Sequence, residues 1–453
     1  MADPTPLSQL AAKAYVYGFP LVFSVEQARR YATTGVGANP AAIYNTLSHA
    51  RTLAGPKDTF VSINNDTVYT MAQLDLTVGP LLFGVPDTDG EYYVAQFIDA
   101  WTDNFAYVGK RATGTHAQRY LIVPPGWEAT APDDVDDVIH APTTLVSIIL
   151  RWACASADDL PRVHALQDAV ELRPLGSGPP APAPAPAGSP DPDPAVPESL
   201  RFWEQLRLWM HAYPPAPHDV ELQQAFAPLG LLQDGASPYA DPDPELRAAL
   251  EQGSAVGQQG LADALANVSG EQQNGWRLAY HAFDYNVDYF EIGTIDAPEW
   301  KIADRTKAIG ERAAAALGGL WGNHGYEAAY ALTWVDADGD QLTGERPYTM
   351  RLDPLPPVDA FWSITMYALP DFYLVDNPID RYSIGDRTAG LVTDADGGVT
   401  ITLAHTEPAD ATARANWLPT PSGAFRPIMR LYSPQPAVLD GTFEIPPIAK
   451  SKA

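Results

Sequence analysis

Acid–base catalysis on a small molecule needs a group that takes a proton, a cation that steadies the charge so made, and walls that keep water out. Five polar–aromatic stretches carry those residue types: Asn64–Tyr69, Asp99–Phe105 followed by Gly109-Lys110-Arg111, Phe361-Trp362-Ser363, Asp376–Arg387, and Asn416-Trp417-Leu418-Pro419. Asp66 or Asp99 would serve as general base, with a pKa raised by burial. Arg111 or Arg381 would hold an anionic substrate group or a developing oxyanion. Asn64, Asn65, Asn104 and Asn416 would orient polar groups, and Tyr69, Trp101, Trp362 and Trp417 would give aromatic faces. Two other fates compete. The same aromatic residues can bind a sugar or apolar ligand without chemistry. The Asn, Asp and Arg residues can also be fold punctuation, capping turns and pairing with one another.

Standard catalytic signatures are missing. The sequence has no GxSxG elbow, no Walker loop, no GxGxxG opening a helix and no HExxH. His211 and His218 lie on a stretch broken by Pro214 and Pro215, so they do not form a metal pair. Cys154 has no evident His partner and reads as a small buried hydrophobe. Asp133–Asp137 follows a Pro-rich loop and reads as a solvated acidic face. The turns Asp336-Ala337-Asp338-Gly339 and Asp394-Ala395-Asp396-Gly397 have the wrong spacing for a helix–loop–helix calcium site and read as hairpin turns. Without a flavin, nicotinamide or haem motif, no cofactor is expected. The chemistry expected is hydrolysis, elimination or isomerisation in an aromatic-lined cleft between β domains.

Composition narrows the partners. The 453 residues carry a net charge of −28, too acidic for a binder of nucleic-acid backbone or anionic lipid. A hydrophobic fraction of 46% with 10% aromatics is enough for packed cores. One cysteine excludes an intrachain disulfide framework. The N-terminus shows no signal peptide and no run reaches a membrane span, so a soluble protein is expected, cytoplasmic or, if trimmed, exported. The partner expected is a small molecule, with a homo-oligomer left open.

The elements that must position these residues fall into three regions. Residues 1–155 read as N-terminal helices, interrupted at Gly18-Phe19-Pro20, followed by short strands at 67–76, 81–85, 92–98, 104–108 and 120–123. Residues 156–330 read as helical, with a helix to about Leu172 and another capped by Ser199. Between them, ten of the 24 residues from Pro174 to Pro197 are proline, which predicts an extended, solvated linker. Residues 331–453 return to strands. The fold class expected is α+β: two β-rich, sandwich- or barrel-like, mainly antiparallel domains with a helical segment between them.

Asn64-Asn65-Asp66-Thr67, Pro86–Gly90 and Asp99–Asn104 resemble the bacterial family called domain of unknown function 1254. Asp353–Arg387, Asn416–Pro419 and Pro436–Gly441 resemble its usual partner, domain of unknown function 1214. The resemblance spans nearly the whole chain and implies two β-rich domains flanking a helical segment. It brings no mechanism. Many relatives carry export signals, which leaves the compartment open.

Overall fold

The strand Leu145–Ala153 shows how the N-terminal domain is organised. Val146, Ile148, Leu150 and Trp152 enter one hydrophobic core, while Ser147, Ile149 and Arg151 point the other way, as strand alternation requires. The computed structural model describes residues 5–58, 62–176, 183–266 and 270–451. Leu145–Ala153 is the centre of a five-stranded sheet ordered Ser48–His49, Thr67–Asp75, Leu145–Ala153, Tyr93–Asp99, Asn104–Gly109. A four-stranded sheet, ordered Asp137–His140, Gln118–Val123, Leu81–Val85, Glu171–Pro174, covers its apolar face. Phe83, Phe97, Ile122, Ile148 and Trp152 fill the space between the sheets.

The C-terminal domain repeats this plan. The strands Val358–Ala368 and Phe425–Pro434 form the middle of a seven-stranded sheet that also holds Ala328–Leu332 and Ser383–Gly385. A four-stranded sheet, ordered Trp417–Pro419, Val399–Ala404, Tyr348–Leu352, Ala449–Lys450, packs over it around Met350, Ile364, Ile401 and Leu431. Each small sheet contains one parallel pair; the other pairings are antiparallel. Both domains are therefore open sandwiches, and the barrel alternative is set aside. The fold is α+β with β-rich domains.

The first helix, Pro6–Thr34, packs with Arg201–Ala212, Pro244–Ala266 and Arg305–Gly318 around Leu21, Trp203, Trp209 and Leu250. The expected break at Gly18–Pro20 does not occur. Pro20 costs the helix one hydrogen bond, but it is buried, and flanking helices hold the chain in register. Two other boundaries differ. The helix opening at Leu160 ends at Asp168, because Glu171–Pro174 is recruited as an edge strand beside Leu81–Val85. Ser199 caps nothing; it lies in a 3-10 turn and bonds to Glu251.

The proline tract is not a solvated spacer where it is described. From Ala183 it runs as a strap over the body: Ala187 N–H donates to Asp75, Pro190 accepts from the Trp209 indole, and Asp191 pairs with Arg29. Proline gives the strap its stiffness while burial of Pro186 and Ser189 fastens it. Residues 177–182 of the tract lie outside the described residues. Of the Asp-Gly turns, Asp336–Asp340 closes a small hairpin through the bridge between Val335 and Gln341. Asp87–Gly90 and Asp394–Gly397 instead carry the chain from one sheet to its partner. Among the described residues, no helix is long and apolar enough to cross a membrane.

Candidate functional site

The two large sheets each have one apolar face, turned into their own core, and one mixed face. The mixed faces meet. From the N-terminal sheet come Tyr69, Gln96 and Arg151; from the C-terminal sheet come Tyr330, Ser363, Thr365, Arg430 and Tyr432. The strand register sets their order. Tyr69 lies opposite Arg151, and Ser363 and Tyr330 both lie opposite Arg430.

Asp66 joins the two domains. It sits just before the Thr67–Asp75 strand, where the Asn64 side-chain oxygen accepts from the Asp66 and Thr67 backbone N–H groups. This Asn turn fixes where the carboxylate points. Both carboxylate oxygens then accept from the C-terminal sheet: Tyr432 O–H donates at 2.7 Å and Ser363 O–H donates to the other oxygen. Asn64 Nδ2 donates to the same Tyr432 oxygen at 2.6 Å. Burial, reinforced by the Asp66 charge, holds the Tyr432 hydroxyl well above the ordinary tyrosine pKa, so it stays protonated. Arg387 closes this corner, donating to the Asp66 carbonyl and lying over the Phe361 ring.

Two buried arginines flank this carboxylate without an ion pair. Arg151 donates to Gln96 Oε1, Asn323 Oδ1 and the Trp321 carbonyl. Arg430 donates to Thr365 Oγ1, the Tyr367 hydroxyl and the Ser62 carbonyl. All six acceptors are neutral. Buried Arg207 and Arg312 are ion-paired, with Glu204 and Asp103, and so is half-buried Arg111, with Glu327; buried Arg426 is not, and donates to Ser62 Oγ. The Arg151 guanidinium lies 5.5 Å from the Tyr69 ring centre and the Arg430 guanidinium 6.0 Å from that of Tyr330. Tyr330 interacts electrostatically with both arginines and with Asp66. Tyr69, Met71 and Tyr330 are part-exposed beside these buried groups, and Tyr31 and Leu320 edge the same patch. Arg426, on the same strand face, is caged by Phe372, Trp334 and Tyr367; burial pushes its pKa down to about 10.

Of the residues expected from the sequence, Asn64, Asp66 and Tyr69 lie here, and Asn65 borders the site, accepting from Ser383. The others are elsewhere. Asp99, Trp101 and Asp103 plug the sheet rim into the helical layer, where Trp101 donates to the Tyr213 carbonyl. Burial, with Asp103 beside it, raises the Asp99 pKa well above the ordinary range. Asn104 is held by Gln96 and the Gly322 carbonyl. Arg111 is tied to Glu327, which also accepts from Tyr92. Arg381 donates to the carbonyls of Ala415 and Trp417, and Asn416 clamps Val392 and Thr400. Trp362 lies in the C-terminal core, and Trp417 donates to the Ala404 carbonyl. The three tryptophans thus share no wall: strand alternation turned Trp362 inward, leaving Phe361 and Ser363 facing the other domain.

Sequence reading missed Arg151 and Arg430. Each had a signal, an arginine inside an apolar run: Ile148-Ile149-Leu150-Arg151-Trp152 and Ile428-Met429-Arg430-Leu431-Tyr432. Cys154 is buried, its thiol pushed up to about 11 by burial, and Asp133, Asp134, Asp136 and Asp137 are exposed. An open depression of about 320 Å³ beside Arg346 and His405 shares no residue with the interdomain cluster.

These features define a two-sandwich protein whose domains share one polar face. Residues 44–174 match the family described as Protein of unknown function (DUF1254), and residues 327–436 match Protein of unknown function (DUF1214). Each stretch falls on one sandwich, and the chain belongs to this two-domain family. The fold is similar to the crystal structure of the VPA0106 protein from Vibrio parahaemolyticus: TM-score 0.72, 24% identity, covering 98% of this chain and 100% of that one. An uncharacterized protein from Burkholderia cenocepacia aligns at TM-score 0.45 and 14% identity, over 100% of this chain and 91% of that one, too weak a likeness to carry an argument. No curated protein matches the sequence.

Proposed function

We propose that this chain is an enzyme that performs acid–base chemistry on a small organic molecule held between its two β domains. The observation that carries this reading is Asp66. It is a buried carboxylate supplied by one domain, and both its side-chain hydrogen bonds come from the other, through Ser363 and Tyr432. In this reading Asp66 is the general base. Ser363 and Tyr432 orient it and relay its proton, and Arg430, opposite Ser363, steadies negative charge formed on the substrate. The reaction classes that need only these parts are hydrolysis, elimination and isomerisation. Among the residues first singled out, Asp66 keeps the base role, while Asp99, Arg111 and Arg381 are assigned to structure.

The test is a turnover screen by mass spectrometry over a panel of small organic acids, esters and amides, run on the wild type, Asp66→Asn and Tyr432→Phe. General-base loss is expected to cost about 10²–10⁴-fold in rate. Turnover within about threefold of wild type in a folded Asp66→Asn would remove Asp66 from the mechanism. A non-catalytic binding protein is the second reading, favoured by the full hydrogen bonding of the Asp66 carboxylate. A ligand that raises the melting temperature and is recovered unchanged would select it.

A further inference from the structure

We infer that the ligand of the interdomain face is an organic carboxylate with an apolar or aromatic body. The inference rests on the site proposed above and adds the chemical class of what occupies it. Its first support is charge. Arg151 and Arg430, 6% and 4% exposed, carry two positive charges, and among the described residues neither is ion-paired. Isolated buried charges are costly, and in proteins they are paired or bonded to ligand. The Asp66 carboxylate offsets one of the two. Arg426, 8% exposed and on the same strand face as Arg430, is likewise without an ion pair among the described residues, so positive charge is left over that an anion would cancel.

The second support is independent: a buried donor without an acceptor. Asn323, 1% exposed, accepts from Arg151 with its oxygen, and its Nδ2 has no partner. Buried N–H groups lacking acceptors are rare in native proteins. A ligand made only of acceptors at its polar end satisfies this one, and a guanidinium presents the fork geometry that a carboxylate matches. The apolar body follows from Tyr69, Met71 and Tyr330, the part-exposed side chains over these donors.

The test is isothermal titration of the full chain with benzoate, its neutral isostere benzamide, and inorganic phosphate. The wild type is expected to bind benzoate at least tenfold more tightly than either comparison. Arg151→Met and Arg430→Met, checked for wild-type circular dichroism, are each expected to lose tenfold or more. Where a Met variant fails to fold, the wild-type preference for benzoate decides alone. Equal binding of benzoate and benzamide, preference for phosphate, no benzoate binding at millimolar concentration, or unchanged affinity in both folded Met variants would each overturn the inference. Asp66→Asn separates this from the catalytic reading. It is expected to keep or improve benzoate binding, because it removes a negative charge, whether or not it abolishes turnover. A variant that still turns over substrate and still binds benzoate through its arginines would sink the catalytic reading and leave this one standing.

Discussion

Replacing Glu327 with Gln is expected to loosen the seam between the sandwiches. Glu327 is 1% exposed and follows His324 at the entrance to the C-terminal sheet. One carboxylate oxygen accepts from Tyr92 at 2.8 Å, and the other from Arg111 Nε at 2.5 Å. Arg111 also donates to the Gly293 carbonyl and lies 4.8 Å from the centre of the Tyr326 ring. Gln keeps an acceptor for Tyr92 but removes the charge that balances the guanidinium. Breaking a buried pair from one side costs about 3–5 kcal/mol. The Arg111 side chain is 20% exposed, so water screens part of the loss and about 3 kcal/mol is expected. Arg111→Met leaves the more deeply buried partner bare and is expected to cost more, about 4–5 kcal/mol. The Arg111→Met/Glu327→Gln double variant is expected to cost clearly less than the two single losses together, because neither charge remains uncompensated. Equilibrium urea unfolding of the four proteins gives this coupling. A Glu327→Gln loss under about 1 kcal/mol, or strictly additive losses, would refute the reasoning that this pair ties the domains.

Three further outcomes follow from the buried groups. Asp99 has a folded-state pKa raised by burial and by Asp103, so the folded protein holds its proton more tightly than the unfolded chain. Stability is then lost as pH rises from the ordinary value of 3.8 through the raised one. Asp99→Asn, which keeps the acceptor for the Asp103 N–H, is expected to match wild type below pH 3.8 and to exceed it at neutral pH in thermal melts. His324 Nδ1 lies 3.0 Å from both the Tyr107 and the Tyr326 hydroxyl, and burial, aided by Arg111, lowers its pKa from 6.5 to about 3. The unfolded chain binds the proton more tightly, so stability falls as pH drops from 6.5 towards 3, by as much as about 4–5 kcal/mol. His324→Gln is expected to flatten that limb of a stability–pH curve, and an unchanged limb would count against it. Arg381→Met, which strips donors from the Ala415 and Trp417 carbonyls, is expected to cost about 1–3 kcal/mol in urea unfolding and to leave benzoate affinity within twofold.

Much of the fold was legible because it rests on short-range rules. A short apolar run between Gly and Pro turns placed the strand Leu81–Val85 to the residue. What failed depended on tertiary partners. Pro20 reads as a break until the helices around it are known, and Glu171–Pro174 becomes a strand only because Leu81–Val85 offers an edge. The proline tract reads as solvated until the groups it docks on, Asp75, Arg29 and Trp209, are brought beneath it. The site was half legible for the same reason. Asn64-Asn65-Asp66 drew attention through turn chemistry, and that turn does aim Asp66. Arg111 and Arg381 drew attention as arginines in polar motifs, the setting in which a guanidinium readily finds a carboxylate or carbonyl. Arg151 and Arg430 sit in apolar strands instead, where a charge is costly unless it has a purpose.

The inferred ligand is an organic carboxylate at the interdomain face that carries Arg151 and Arg430. A crystal structure of the protein grown with benzoate tests it directly. The expected result is a carboxylate within hydrogen-bond distance of the Arg151 or Arg430 guanidinium, with its ring against Tyr69 or Tyr330. Benzoate bound only elsewhere, or an unliganded interdomain face at saturating benzoate, would contradict it.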